Sequence, residues 1–69
     1  MKSTNEFYEE IRIVLKSESP ILEEEFNIKT VKNSPKEVFL WLDSIQKEGK
    51  LPNNKNLEDL LTDFFFSIH

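Results

Sequence analysis

Residues 34–49 have the sequence SPKEVFLWLDSIQKEG, which contains the signals for the start, the body and the end of one helix. Its first serine and Glu37 have the spacing of a capping box, in which each side chain accepts a hydrogen bond from the other residue's backbone N–H. Pro35 suits the first helical position, where a backbone N–H would have no acceptor within the helix. Gly49 can adopt the left-handed backbone conformation that commonly ends a helix. The stretch therefore predicts a helix over about 35–48.

Two further capping pairs with the same spacing lie near the two ends of the sequence. Ser3 precedes Glu6 by three residues, and Asn56 precedes Asp59 by three residues. Each pair can satisfy backbone N–H groups that have no acceptor at a helix start. The three main helices predicted in this way cover about residues 4–17, 35–48 and 57–68.

A fourth helical segment is predicted between the first two main helices. Ser19-Pro20 repeats the serine–proline start and predicts a short helix over about 20–26. The following residues, 27–32, are interpreted as alternating in the manner of a short strand. Because one strand without a partner is not stable, this segment is predicted to be an extended connection. The fold class predicted for 1–69 is therefore all-α, a single compact bundle of three main helices and one short helix.

The apolar residues of the main helices recur with helical spacing. At about 100° per residue they collect on one side of each helix, which is the pattern of a helix that faces a core. A chain of 69 residues has barely enough apolar surface for one core, so each such face must be used. The predicted core contains Phe7, Tyr8, Ile11, Val14, Leu15, Val38, Leu42, Ile45, Leu57, Leu60, Leu61, Phe64, Phe65 and Ile68.

The residues that most enzymes and metal sites need are scarce in this sequence. There is no cysteine, and the only histidine is His69, where a frayed terminus would not hold an imidazole in catalytic geometry. A single glycine, Gly49, is too few for a phosphate-binding loop. Carboxylate pairs such as Glu6/Glu10 and Asp59/Asp63 are typical of solvated helix faces. We therefore predict no catalytic activity, no cofactor and no metal site.

Composition also limits the cellular compartments and the kinds of partner that the protein can have. Without cysteine the chain has neither disulfides nor thiolate ligands, and it contains no run of about 18 apolar residues for a membrane span. We predict a cytoplasmic protein that does not enter a membrane. Thirteen acids and nine bases give a net charge of −4, which argues against nucleic acid as the main ligand. Nucleic-acid binding through Lys29, Lys32 and Lys36 remains a less favoured alternative.

Two short motifs resemble those of known families. Asp43-Ser44-Ile45 resembles the Asp-Ser-Leu attachment site of acyl carrier proteins, which would imply a phosphopantetheine arm on Ser44. In that family the serine starts a helix after a loop, whereas Ser44 lies within a predicted helix. The carrier function is therefore kept only as a less favoured alternative.

The segment from Ser34-Pro35 to Gly49-Lys50 resembles the last helix of the nuclease-colicin immunity proteins, which are acidic four-helix inhibitors. The shared features are the Ser-Pro helix start and the glycine stop. The sequence departs from that family because another predicted helix follows and because its paired-tyrosine motif is missing, Tyr8 being the only tyrosine. The resemblance implies an inhibitory, protein-binding role.

Three large apolar residues do not fit the predicted core faces. Ile13, Leu40 and Phe66 each lie on the polar side of a predicted helix. Such residues are candidates for a contact patch in which aromatic side chains are anchors and charged residues form the rim. An acidic segment could also steer a basic partner. The predicted partner-binding residues are Ile13, Phe39, Leu40, Trp41 and Phe66, together with Glu23, Glu24 and Glu25.

The leading hypothesis is a protein-binding module of the inhibitor, immunity, antitoxin or adaptor kind that occludes a partner's surface. One alternative is a homo-oligomer, structural or regulatory, in which the apolar residues outside the core faces meet across a twofold axis. Another is that the helix over 35–48 is central and buried on all sides, so that Leu40 belongs to the core.

Overall fold

The computed structural model describes residues 2–68, and His69 lies outside the described residues. Four α-helices occur in this part of the chain, and no strand does, which confirms the predicted all-α class. Within residues 2–68 no helix is both long enough and apolar enough to cross a bilayer. The helices are α1 (Thr4–Glu18), α2 (Pro20–Lys32), α3 (Pro35–Lys47) and α4 (Lys55–Ile68).

Helix α2 is nearly twice as long as the sequence predicts. The predicted short helix over 20–26 with an extended connection over 27–32 is wrong, because α2 continues to Lys32. A helix satisfies its backbone groups internally, whereas an isolated strand would leave them without partners. The added half is also tied to α1, since the Arg12 Nε donates to the Asn27 Oδ1 over 2.6 Å. The fold is therefore four helices of similar length.

The serine capping pairs are confirmed at the starts of α1 and α3. Ser34 Oγ accepts from the Glu37 N–H over 3.4 Å, and Glu37 Oε1 accepts from the Ser34 N–H over 3.1 Å. The Ser34 hydroxyl also donates to Glu37 Oε1, over 2.9 Å, and the two hydrogen bonds from the Ser34 N–H and hydroxyl lower the pKa of the Glu37 carboxyl. Ser3 and Glu6 form the same reciprocal pair at the start of α1.

Gly49 provides the left-handed residue just beyond the end of α3, as predicted, and has a φ of 75°. The Lys50 N–H donates to the Ile45 carbonyl over 2.9 Å, and the Gly49 N–H donates to the Gln46 carbonyl over 3.0 Å. This pair of bonds is a Schellman motif, which satisfies two carbonyls at the end of the helix. It requires the left-handed backbone that glycine adopts without steric cost.

Helix α4 begins earlier than predicted, and a different asparagine caps it. The Asn54 Oδ1 accepts from the Leu57 N–H over 3.1 Å, which is the contact of an N-cap residue with the third residue of its helix. Asn56 lies inside the first turn of α4, so the predicted capping pair of Asn56 with Asp59 is wrong. Helix α4 therefore starts at Lys55, and not near residue 57 as predicted.

The helices surround the core in ring order, with α1 against α2, α2 against α3, α3 against α4 and α4 against α1. Phe64 lies at its centre, with ring centroids 5.6 Å from Phe7, 5.8 Å from Tyr8 and 6.1 Å from Phe39. The buried residues are Phe7, Tyr8, Ile11, Leu15, Phe26, Val38, Leu42, Ile45, Leu57, Leu60, Leu61 and Phe64.

Most of the predicted core is confirmed, with four differences. Phe26 of α2 is fully buried although the prediction omitted it. Phe65 is exposed, because successive residues of a helix point about 100° apart and only Phe64 can face the centre. Val14 and Ile68 are partly buried at the edge of the core.

Candidate functional site

The ionisable side chains of the described part of the chain all reach solvent, with Tyr8 as the exception. No acidic or basic residue among residues 2–68 is buried, and no three of their carboxylates lie close enough to hold a metal ion. Burial raises the pKa of the Tyr8 phenol above its ordinary value.

The three residues that lie off the predicted core faces are exposed. The exposed fractions are 66% for Ile13, 54% for Leu40 and 70% for Phe66. The alternative in which α3 is buried on all sides is wrong, because Leu40 points to solvent. Exposed single apolar residues are common on proteins, whereas an exposed apolar residue that belongs to a larger apolar surface indicates a contact site.

Phe66 belongs to a concave surface between α3 and α4, which we call the aromatic groove. Three rings form a continuous series there, with centroids 5.3 Å apart for Phe39 and Phe65 and 5.6 Å apart for Phe65 and Phe66. The series continues into the core because Phe39 also contacts Phe64. The groove has a volume of about 310 Å³. Its lining residues are Phe39, Asp43, Gln46, Glu58, Leu61, Thr62, Phe65 and Phe66.

The rim of the aromatic groove is acidic. Asp43 of α3 and Glu58 of α4 contribute its charges. The Asp43 carboxylate lies 3.0 Å from the Lys47 Nζ, an exposed i, i+4 pair of the kind that contributes little to stability. Glu58 is exposed and forms no ion pair with any other residue in the range 2–68. Apolar rings and at least one available carboxylate therefore lie side by side.

The other predicted anchors lie elsewhere on the molecule. Trp41 is partly buried on the α2 side of α3, where the Lys29 Nζ lies 5.8 Å from the centroid of its ring. Leu40 lies on the outer side of α3 and does not line the groove. Of the predicted apolar residues, only Phe39 and Phe66 lie together in the aromatic groove.

Ile13 lines a second groove, between α1 and α4. Val14 and Leu60 provide its remaining apolar surface, and its carboxylates include Glu10, which lies 2.8 Å from the Lys2 Nζ. Interactions with nearby carboxylates, first of all the hydrogen bond to Glu10, raise the pKa of Lys2. The positive charge of Lys2 therefore lies in this second groove, beside its carboxylates.

The acidic segment predicted to steer a partner belongs to α2. Glu24 and Glu25 are exposed, whereas Glu23 is partly buried. No residue of α2 lines the aromatic groove, so these carboxylates lie outside it.

Sequence reasoning missed four exposed apolar residues. Phe65 was assigned to the core, and Ile21, Ile28 and Val31 were assigned to a short helix or to a connection. The last three have a signal that could have revealed them, because residues seven and ten positions apart return to the same side of a helix. We refer to Ile21, Ile28 and Val31 as the α2 stripe.

Ser44 lies in the last turn of α3, and its hydroxyl donates to the Trp41 carbonyl over 2.8 Å. The serine of the acyl carrier motif starts a helix, so the position of Ser44 differs from the one that the resemblance implies. Comparison of the chain with known protein families, with curated proteins and with solved structures found no match. Functional assignment therefore depends on the surfaces described above.

Proposed function

We propose that this protein is a non-catalytic binding module of the cytoplasm, which docks an amphipathic basic helix of a partner protein in the aromatic groove. Binding there occludes the apolar face of that helix, as an inhibitor, antitoxin or adaptor does. The observation that carries the proposal is the exposure of Phe66, at 70%, beside two further phenylalanine rings. The absence of cysteine supports a reducing compartment.

The shape of the aromatic groove supports a helical ligand. A groove between two helices is a common site for the apolar face of a third helix, with anchors at i, i+3, i+4 and i+7. Its volume of about 310 Å³ is at the lower limit of small-molecule pockets. Side chains that project from a peptide therefore fit it better than an enclosed ligand would. Complete burial of one phenylalanine side chain contributes about 1.5–3 kcal/mol.

The charges of the rim support a basic ligand. Asp43 and Glu58 flank the rings, and the whole chain has a net charge of −4. A ligand with lysine or arginine beside its apolar face would place a cation near Glu58. Complementary charge at a rim raises the association rate more than the affinity.

A synthetic probe tests this proposal. The probe is a fluorescein-labelled amphipathic peptide of about 15 residues, with leucine at i, i+3, i+4 and i+7 and lysine on the other face. Binding to the full chain is measured by fluorescence anisotropy. We expect Phe66→Ala to weaken binding at least about tenfold, since truncated anchors at hot spots cost more than about 1.4 kcal/mol.

The matched control is Leu40→Ala, which removes another large, exposed apolar side chain that lies outside the groove, and it should leave binding unchanged. A second control is a peptide of the same composition whose leucines do not share one face. The proposal is wrong if Phe66→Ala and Leu40→Ala bind the amphipathic peptide alike, or if the control peptide binds as tightly. Glu58→Gln should reduce the association rate at low salt only.

A further inference from the structure

The second groove, between α1 and α4, combines an apolar floor with an acidic rim. Ile13, Val14 and Leu60 form the floor, and the groove has a volume of about 390 Å³. The carboxylates that line it are those of Glu10, Asp59 and Asp63. Among residues 2–68, Lys2 is the only basic residue that lines this groove. Negative charge is therefore in excess there.

Lys2 is held in the second groove by side-chain contacts alone. Its Nζ lies 2.8 Å from the Glu10 carboxylate and 5.6 Å from the centroid of the Phe7 ring. The residue is exposed and precedes the first residue of α1, so no helical hydrogen bond fixes its backbone. Exposed ion pairs contribute little to stability. Another cation can therefore replace the Lys2 ammonium at little cost.

The other two carboxylates of the second groove have no cation of the chain against them. Neither Asp59 nor Asp63 lies within ion-pair distance of a basic group in the range 2–68. They are four residues apart on one side of α4, with Cβ atoms about 5–6 Å apart. No three carboxylates in the described part of the chain converge closely enough for a metal ion. The complementary ligand is therefore a long cationic side chain, that of lysine or arginine.

The second groove adjoins the aromatic groove at the end of α4. Lys2 and Asp63 also line a hollow of about 320 Å³, which is completed by Phe7, Phe66 and Ser67. Phe66 in turn lines the aromatic groove. An extended segment of about four residues is long enough to cross the width of a helix, about 10–12 Å. One partner can therefore occupy both grooves.

We infer that a lysine or arginine of the partner, on the segment that continues from the helix in the aromatic groove, displaces Lys2 from the second groove. The inference rests on the proposed function and adds a second contact to the same partner. Lys2 is then an internal competitor, which fills the second groove in the free protein and leaves it on binding. An apolar residue beside the incoming cation covers Ile13. A tethered second contact raises the overall affinity without changing the first.

An extended form of the amphipathic peptide tests the inference. The extension is Gly-Ser-Gly-Ser-Lys-Leu-Lys, attached to either end of the peptide in two separate probes. A control extension has glutamine in place of each lysine. Binding to the full chain is measured by fluorescence anisotropy. We expect one of the two probes to bind at least about fivefold more tightly than the short peptide, and the control extension to add nothing.

Substitution of Lys2 separates displacement from general charge attraction. Lys2→Gln should tighten binding of the extended peptide by a further factor of about two to five, because no internal cation then has to leave. Lys16→Gln is the matched control, since it removes another exposed lysine of α1, outside the grooves, and changes the net charge equally. Ile13→Ala should weaken binding of the extended peptide only. Its matched control is Ile28→Ala in the α2 stripe, which lines neither groove.

The outcomes separate this inference from the proposed function. The inference is overturned if Lys2→Gln and Lys16→Gln act alike, or if neither extended probe binds more tightly than the short peptide. If the short peptide still distinguishes Phe66→Ala from Leu40→Ala, the proposed function stands and only the inference fails. If the short peptide does not distinguish them, both are wrong.

Discussion

Tyr8 shows how a single polar atom limits the stability of this small core. Its ring packs edge-on against Phe26 and Phe64, with centroids 5.7 Å and 5.8 Å away. Its hydroxyl is buried without a hydrogen-bond partner in the described part of the chain. A buried polar group without a partner costs about 1–3 kcal/mol. The ring contacts of Tyr8 stabilise the core, and its buried hydroxyl destabilises it.

Tyr8→Phe should therefore stabilise the protein. It keeps the ring contacts and removes the hydroxyl, so we expect the free energy of unfolding to rise by about 1 kcal/mol. Urea unfolding at neutral pH measures the change. A loss of about 1 kcal/mol or more would show instead that the hydroxyl has a hydrogen-bond partner and that its burial is not costly.

The same substitution should change the alkaline pH dependence. Burial raises the pKa of Tyr8 above its usual value of about 10. Between the two pKa values the unfolded chain has lost the phenolic proton and the folded chain has kept it, so unfolding is favoured as the pH rises. The stability advantage of Tyr8→Phe should therefore increase above about pH 10. A constant difference between about pH 8 and pH 11 would contradict this account of the phenol.

At the scale of the helix, local chemistry explains what could be predicted. The pairs Ser3/Glu6 and Ser34/Glu37 act within four residues, so their sequences suffice to place the starts of α1 and α3. Helix α2 could not be predicted in full because part of its support is tertiary, through the contact of Arg12 with Asn27. The two apolar residues of 27–32, Ile28 and Val31, are three positions apart, which is helical spacing, so the strand interpretation of this segment was wrong.

The start of α4 was predicted at the wrong asparagine because both Asn54 and Asn56 are good capping residues. In the structure only Asn54 accepts a hydrogen bond at this position, from the Leu57 N–H. Asn54→Ala should therefore lower the free energy of unfolding by about 1 kcal/mol. Asn56→Ala should change it by less than about 0.5 kcal/mol. Thermal or urea unfolding measures the stability of both variants. A larger loss of stability for Asn56→Ala than for Asn54→Ala would show that Asn56 is the N-cap and that α4 starts near residue 57.

At the scale of the whole molecule, the exposure of a residue can be predicted from the sequence more reliably than its contacts with residues of other helices. Helical periodicity suffices to place Ile13, Leu40 and Phe66 outside the core, because it is a local property. It does not tell which helices are neighbours. Phe39 and Phe66 meet in the aromatic groove only because α3 packs against α4, and Phe65 completes the groove only because Phe64 fills the centre.

The central claim is that different residues stabilise the bundle and form its binding surface. Phe64 and Phe66 are two residues apart in one helix, yet one is fully buried and the other is 70% exposed. Phe64→Ala should cost about 3–5 kcal/mol in the free energy of unfolding. The decisive measurement is urea unfolding of Phe66→Ala, which should differ from the unchanged protein by less than about 0.5 kcal/mol. A loss comparable to that of Phe64→Ala would place Phe66 in the core and contradict the claim.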